Sequence, residues 1–270
     1  MPIDVEAEVL WNRRLSPGYN ALALSAPAIG ARVEPGQFVM VKTAHGHDPL
    51  LRRPFSVFEI LRGDDKAPRG FTILNKRVGP GTARLYAATP GQSFSCLGPL
   101  GRPFTLVDPP FEAWMVAGGV GLAPFATLAE RLRERHCAVT LFYGAKQADE
   151  LFAVDLFESI AVRVVLASED GSRGMRGLVS EALAHELERR EPDPPLMLYA
   201  CGPEAMLIAV CKLGAVHRRP TELAVERVMG CGMGGCFSCV VRVRDGEGKT
   251  RYARSCIEGP VFRGEDIVWE

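Results

Sequence analysis

The sequence predicts an α/β plus β chain in three parts: a small antiparallel barrel, a doubly wound parallel-sheet domain and a short cysteine-rich unit at the C-terminal end. Three observations carry this prediction. Up to residue 107, short β-rich runs are separated by Pro-Gly turn dipeptides; from 108 to 225, apolar strand patterns alternate with helical ones; from 226 to 270, three cysteines stand in a C-x4-C-x2-C array with a fourth downstream.

In the first part the β-rich runs cover residues 5–11, 20–25, 38–43, 54–60, 71–76 and 93–97, and Pro17-Gly18, Pro35-Gly36 and Pro90-Gly91 supply turns between them. Strands at that spacing suit a small antiparallel barrel. One helical stretch, 81–88, interrupts it. Asp108-Pro109-Pro110 is a stiff break and marks the expected boundary.

The second part reads as buried strands at 113–117, 139–143, 162–167, 197–200 and 223–225, with helices at 124–135, 178–190 and 204–213. This alternation predicts a parallel, doubly wound sheet, in which ligands bind beyond the carboxyl ends of the strands. The turn after its first strand is Ala117-Gly118-Gly119-Val120-Gly121-Leu122-Ala123-Pro124. Glycines let backbone N–H groups reach phosphate oxygens, and Pro124 suits a helix start, so Gly118, Gly119, Gly121 and Pro124 are candidate nucleotide contacts. Tight strand-to-helix packing would also call for glycines, and position in the alternating domain favours the nucleotide.

The third part centres on Cys231, Cys236 and Cys239, with Cys256 alone beyond them. That spacing matches the four thiolate ligands of a plant-type 2Fe-2S cluster. A structural zinc site is the competing reading, but zinc ribbons pair their ligands as two C-x2-C knuckles, and here the first gap is four. Disulfides rank third, because the N-terminal stretch has no basic segment followed by an apolar core. Cys96, Cys137 and Cys211 lie in apolar contexts and are expected in the core. His136, His185 and His217 have no ligand-like spacing, and His45-Gly46-His47 reads as a polar loop rather than a metal site.

Composition limits the function classes. Lys+Arg and Asp+Glu balance at 32 each, so no net charge draws the chain to nucleic acid or anionic lipid. No apolar run approaches the roughly 20 residues of a membrane span, and a soluble, cytoplasmic protein is expected.

With the order barrel, nucleotide-binding domain and cluster in place, the chain resembles the ferredoxin reductase superfamily and, within it, the electron-transfer subunits of the NAD-linked dihydroorotate dehydrogenases. The residues that carry the resemblance are Leu51-Arg52-Arg53-Pro54-Phe55-Ser56, Gly118-Gly119-Val120-Gly121-Leu122-Ala123-Pro124, Tyr199-Ala200-Cys201-Gly202-Pro203, and the cysteine loop closing with Glu258-Gly259-Pro260-Val261-Phe262. It covers essentially the whole chain and implies an FAD-binding barrel at 1–107, an NAD-binding domain at 108–225 and a 2Fe-2S domain at 226–270.

The resemblance also implies residue roles. Arg53, Pro54, Phe55 and Ser56 look like the FAD-binding segment, the arginine forking onto pyrophosphate oxygens and the Ser reaching the flavin edge. Many relatives carry Tyr where Phe55 stands. Leu74, Asn75, Lys76, Gly81 and Thr82 fall where other FAD contacts lie, with the helix start and the Thr82 hydroxyl as a second clamp. Lys76 could equally be a solvated strand end. Cys201, Gly202 and Pro203 resemble the motif placed beside the nicotinamide. Cys231, Cys236, Cys239 and Cys256 hold the cluster.

The function implied is an oxidoreductase subunit that needs no general base or nucleophile of its own. Electrons from dihydroorotate oxidation, carried out on an FMN-containing partner subunit, pass through the 2Fe-2S cluster and FAD to NAD in pyrimidine biosynthesis, in a heterotetramer of two of each chain. A subunit of a ferredoxin-NADP oxidoreductase or sulfide dehydrogenase is the alternative. NAD over NADP is expected from Glu169 and Asp170, which would repel a 2′-phosphate, although Arg173 and Arg176 lie close by. The docking face is expected at 231–239 and 258–262, with Met233, Phe237 and Phe262 shared with neighbouring surface.

Overall fold

A computed structural model describes all residues of the chain except His45, His47, Pro192 and Glu270. The His45-Gly46-His47 expectation therefore falls outside the described residues at its two histidines.

Six strands close the barrel: β1 (Ile3–Ser16), β2 (Tyr19–Ser25), β3 (Phe38–Lys42), β4 (Arg53–Arg62), β5 (Pro68–Lys76) and β6 (Ser93–Leu100), in the order β1-β2-β5-β4-β3-β6. All neighbouring pairs are antiparallel. The short helix α1 (Pro27–Gly30) follows β2, and α2 (Pro80–Ala87) sits where the sequence places its one helix. Closure removes exposed sheet edges, so the small core of Val9, Leu22, Leu24, Val39, Val41, Val57, Phe71, Ile73 and Cys96 is fully enclosed. β1 runs five residues further than its alternating pattern suggests. Register shifts between Val9 and Trp11 and between Arg14 and Ser16 break the two-residue period that a sequence reading follows.

Leu85 of α2 is buried in the same core. Three asparagines, Asn12 half-buried and Asn20 and Asn75 buried, tie the helix to the barrel. Asn12 Nδ2 donates to the carbonyls of Tyr86 (3.0 Å) and Ala88 (2.7 Å), Asn20 Nδ2 donates to Asn12 Oδ1 (2.7 Å), and Asn75 Nδ2 donates to Asn20 Oδ1 (2.8 Å) and to the Thr82 carbonyl (3.0 Å).

The second sheet contains β7 (Glu112–Gly118), β8 (Val139–Ala145), β9 (Arg163–Ser168), β10 (Met175–Arg176), β11 (Leu196–Cys201) and β12 (Thr221–Ala224), all parallel, in the order β10-β9-β8-β7-β11-β12. Helices α3 (Phe125–Glu134), α4 (Val154–Ser159), α5 (Val179–Arg189) and α6 (Glu204–Val216) pack around it. This is the doubly wound architecture expected, and the strand order reverses between β7 and β11. Helix α4 has only six residues, too few to show a helical period, and so escapes a sequence reading.

The cysteine-rich region adds the hairpin β13 (Val240–Arg244) with β14 (Thr250–Arg254), the short helix α7 (Ser255–Glu258) and β15 (Val261–Arg263). β15 pairs antiparallel with β12 and extends the nucleotide-domain sheet, and Phe262 packs against that domain's core. Phe262 is thus packed against that domain while remaining partly exposed. Cys96 and Cys137 are buried as expected, while Cys211 is half-buried, its thiol donating to the Gly264 carbonyl at 3.1 Å.

The three parts meet at the segment leaving the barrel. Thr105 donates from its backbone N–H (2.9 Å) and its hydroxyl (2.6 Å) to the Glu222 carboxylate, and Tyr199 donates its hydroxyl to the Thr105 carbonyl (2.7 Å). Phe104 stacks on Phe125 and meets Tyr199 edge-on. The Arg102 N–H reaches the Gly259 carbonyl at 2.5 Å, and the Val225 N–H reaches the Pro260 carbonyl at 2.9 Å. Glu222→Ala strands two donors of Thr105 in a mostly buried place. We expect it to cost about 1–3 kcal/mol, read as a lower midpoint in urea unfolding at unchanged slope.

Candidate functional site

Two sequence motifs from the nucleotide domain come together at the switch point. Ala117 at the end of β7 pairs with Cys201 at the end of β11, so the turn 118–124 and the segment 201–203 lie side by side. A Cβ on Gly121 would stand 2.1 Å from the Cys201 carbonyl oxygen, which only glycine permits, and one on Gly118 would stand 2.7 Å from Pro203 Cδ and 2.9 Å from Met206 Sδ. After Gly118 the chain makes a 3-10 turn, Gly119–Leu122, before α3 begins. Crevices at such strand ends accept nucleotides. Burial pushes the Cys201 thiol up to about 12, with Glu226 adding to the rise, so the side chain is a neutral, compact group at this mouth.

Around β9 the two expected carboxylates differ. Asp170 accepts from both the N–H (2.9 Å) and the hydroxyl (2.6 Å) of Ser172, which holds its carboxyl below the usual range and engages it in its own turn. Glu169 is exposed and makes no such bond, which leaves it the better placed to meet a ribose hydroxyl. Arg173 donates to the Leu151 carbonyl at 3.0 Å and is drawn away from that position.

The barrel residues gather near the start of α2. Arg53 opens β4, half-buried, and its Cγ lies 3.9 Å from where a Gly81 Cβ would be; Thr43 Oγ1 lies 3.0 Å from the same point. Thr43 Oγ1 and Asn75 Oδ1 are both buried without a hydrogen-bond partner among the described residues. Orphaned acceptors and donors of this kind beside a guanidinium and a helix start call for a polar ligand. The Thr82 hydroxyl is already spent, accepting from the N–H groups of Val78 (2.9 Å) and Gly79 (3.0 Å). A clamp here therefore relies on the free N–H groups of the first helical turn rather than on that hydroxyl. Leu74 is buried among core side chains, and the exposed Lys76 lies over the Tyr19 ring at 5.1 Å. Thr43 was missed because a lone Thr after a strand carries no sequence signal.

The four cysteines fall into two pairs. Cys231 and Cys236 face outward: the Cys231 N–H points at Cys236 Sγ (3.4 Å), while the N–H groups of Met233 (3.4 Å) and Gly235 (3.3 Å) point at Cys231 Sγ. The Ser238 hydroxyl accepts from the Gly230 N–H at 2.9 Å, which leaves its proton for Cys236 Sγ at 3.2 Å. That hydroxyl is the main reason the Cys236 thiol is lowered to about 6. Cys239 and Cys256 face inward, packed with Met229 against Phe38, Met40, Leu97 and Leu100 of the barrel, and burial pushes Cys256 up to about 12.

Among the described residues no three Cys, His, Asp or Glu side chains close on a point where one ion would sit. Zinc would need four donors about 2.0–2.3 Å from a single centre. Two pairs of thiols, one outward and one inward, suit two irons better than one ion, and the all-sulfur donor set fits an iron-sulfur cluster. Two glycines make the loop possible. Gly232 (φ +71°) would drive a Cβ to 2.6 Å from Met40 Cγ, and Gly234 (φ +83°) would drive one to 2.8 Å from Ile257.

The geometry has counterparts in known proteins. A profile for the iron-sulfur cluster binding domain of dihydroorotate dehydrogenase B matches residues 226–268, and one for the oxidoreductase NAD-binding domain matches 115–212. The chain is 36% identical over 266 residues, 98% of each chain, to a dihydroorotate dehydrogenase B (NAD(+)) electron transfer subunit from Desulforamulus reducens. It is 39% identical over 249 residues, 92% of this chain and 91% of the other, to the subunit of the same name from Geobacillus kaustophilus. Among solved structures, that of an NADH-dependent reduced ferredoxin-NADP oxidoreductase superposes with a TM-score of 0.84 at 27% identity, covering 98% of this chain and 90% of that one. A ferredoxin NADP+ reductase from Neisseria gonorrhoeae with bound FAD and NADP, at 20% identity and a TM-score of 0.65, covering 79% of this chain and 91% of that one, shares the fold.

Replacing Cys231 or Cys256 by Ser keeps the shape but exchanges a soft ligand for a hard one. Both variants are expected to lose iron and the cluster's part of the visible absorption on purification, whereas Cys137→Ser keeps wild-type iron content. Wild-type iron in both ligand variants would contradict the assignment.

Proposed function

The chain belongs to the dihydroorotate dehydrogenase B (NAD(+)) electron transfer subunits, and on that premise we propose that its barrel, cysteine loop and switch-point turn form one relay carrying electrons from dihydroorotate oxidation to NAD in pyrimidine biosynthesis. The packing of the inward cysteines carries this reading. Cys239 and Cys256 rest on Phe38 and Met40 of β3, and Met40 and Phe38 pair across the ladder with Pro54 and Ser56 of β4. The cluster loop thus packs on β3, the strand that pairs directly with the flavin segment on β4.

FAD bound at this place exchanges electrons with nicotinamide in pairs and with a 2Fe-2S cluster singly. The residues divide the remaining work. Arg53 and the N–H groups at Gly81 and Thr82 hold pyrophosphate, with Thr43 and Asn75 offering buried polar atoms beside them. Pro54, Phe55 and Ser56 present the strand edge to the ring, while Leu74 and Lys76 contribute backbone at the end of β5. Gly118, Gly119, Gly121 and Pro124 bring backbone N–H groups to the nicotinamide nucleotide's phosphates, and Cys201, Gly202 and Pro203 leave room for its ring. Cys231, Cys236, Cys239 and Cys256 ligate the cluster. Domain limits of 1–107, 108–225 and 226–270 fit this division of labour.

The alternative, a ferredoxin-NADP oxidoreductase or sulfide dehydrogenase subunit, is not favoured. The solved oxidoreductase shares the build at 27% identity, but relatives at 36–39% over nearly the whole chain carry the dihydroorotate dehydrogenase name.

An electron transfer subunit requires a catalytic partner, and we take that partner to be an FMN-containing dihydroorotate dehydrogenase subunit in a heterotetramer of two of each chain. Apolar side chains around the outward cysteines supply the docking face: Val228 (83% exposed), Phe237 (61%), Met233 (58%) and Ile257 (43%). No helix among the described residues is long and apolar enough to cross a membrane, and no disulfide joins any of the eight cysteines, which suits the reducing cytoplasm.

Co-expression with the catalytic subunit and purification through one tag tests the relay: the complex is expected to reduce NAD with dihydroorotate, and Phe237→Asp to weaken co-purification at least tenfold while iron content holds. A partner that neither binds nor gains NAD-linked activity would overturn the assignment. NADH is expected to be preferred over NADPH, and Glu169→Gln to narrow that preference about tenfold in kcat/KM, since it removes the charge facing a 2′-phosphate. An unchanged ratio would shift the discriminating role elsewhere.

A further inference from the structure

Arg254 ends β14, two residues before the ligand Cys256, and its side chain turns back over the cysteine loop. Its Nη1 donates to the Gly234 carbonyl at 2.8 Å, and its guanidinium carbon lies 4.9 Å from the centre of the Phe237 ring. The Gly234 carbonyl and the Gly235 N–H belong to one peptide group. That N–H points at Cys231 Sγ, 3.3 Å away. A cation at the oxygen end of a peptide polarises it and strengthens the bond its N–H makes at the other end. Arg254 is thus connected to a ligand sulfur through a single peptide unit.

The surroundings leave this charge available. Among the described residues Arg254 forms no ion pair; the nearby Glu258 carboxylate is engaged by Arg251 at 2.6 Å, receives the backbone N–H of Arg254 at 3.2 Å, and meets the Arg254 charge only as the weaker, longer-range of the two cations. Phe237 holds the guanidinium by cation–π contact, and it does so with a backbone φ of +57°, a conformation costly for a bulky side chain. A strained aromatic residue serving as a platform for one arginine is an arrangement that needs a reason beyond stability.

We propose that Arg254, held by Phe237 and acting through the Gly234–Gly235 peptide on Cys231, raises the reduction potential of the cluster. The proposal rests on the cluster assignment made above. An electron entering the cluster adds negative charge, and both a nearby cation and a strengthened hydrogen bond to a ligand sulfur favour that state. Arg254 is a tuning residue. It contacts the loop and not the electron carriers.

The test is a potentiometric titration of the purified full-length chain, followed by electron paramagnetic resonance of the reduced cluster. Arg254→Gln is expected to reduce the reduction equilibrium constant about tenfold, equivalent to 59 mV downward for a one-electron couple. Arg254→Lys, which keeps the charge but loses the planar fork, should recover part of that shift. Lys249→Gln removes one positive charge from the exposed turn between β13 and β14 and should leave the potential within twofold of wild type. Phe237→Leu, which keeps every polar contact but removes the platform, should move the potential in the same direction as Arg254→Gln by a smaller factor. An Arg254→Gln potential equal to wild type, or a Lys249→Gln shift as large as that of Arg254→Gln, would overturn the proposal. If Arg254→Gln assembles no cluster, Phe237→Leu decides: a lowered potential supports the role and an unchanged one refutes it. Absence of iron and sulfide from the wild-type chain would instead count against the cluster assignment.

Discussion

A loop that holds four thiols has little apolar material of its own, and the seat it takes on the barrel organises the rest of the chain. Met40 is wholly buried on β3, and it touches both Gly232 and the inward cysteines. The buried residues that the cysteine-rich region contributes to that contact are Met229, Cys239 and Cys256, while the barrel contributes Phe38, Met40, Leu97 and Leu100. A unit of this size could not bury enough surface alone. Borrowing the barrel's surface fixes the cluster loop next to the strand that carries Arg53 and Ser56, so the solution to a stability problem also sets the distance between two electron carriers.

The same economy appears on the other side of the region. β15 adds itself to β12, which covers what would otherwise be a sheet edge and brings the Pro260 carbonyl to the Val225 N–H. Glu222 on β12 reaches back to Thr105, on the segment leaving the barrel. Barrel, parallel sheet and cysteine region are therefore closed on one another through three short contacts. A relay between fixed carriers has no use for domain swing, and a carboxylate buried between two donors of one threonine resists it, since separation would leave polar groups unpaired.

Much of this was legible in the sequence. Every strand of the barrel and all but the two-residue strand of the parallel sheet lie on predicted runs, because closed barrels and buried parallel strands write regular patterns. What escaped did so for local reasons. Bulges in β1 hide its second half, α4 is too short to show a period, and β15 has only three residues. At the site, motifs with covalent or steric demands were readable: thiols at fixed spacing, and glycines where Gly121 meets the Cys201 carbonyl. Residues that act through hydrogen bonds across distant strands were not. Thr43, Asn12 and Arg254 carry no spacing rule, and the role of the Thr82 hydroxyl in closing its own turn emerges only from the fold.

The sulfur environments add a last constraint. The outward cysteines accept hydrogen bonds from three backbone N–H groups and one hydroxyl, whereas the inward pair sits among Phe38, Met40, Leu97 and Leu100, with the Gly234 backbone alone acting on Cys256 against the effect of burial. Donors aimed at sulfur stabilise added negative charge, and an apolar wall does not. The polar side of the loop is also the side ringed by exposed Val228, Met233 and Phe237, and the apolar side is the one that touches the barrel. A site built this way is polarised along the line from its surface to the flavin segment. Part of that polarity comes from the N–H groups of Cys231, Met233 and Gly235, which the seat of the loop on the barrel, made possible by Gly232 and Gly234, aims at the outward sulfurs.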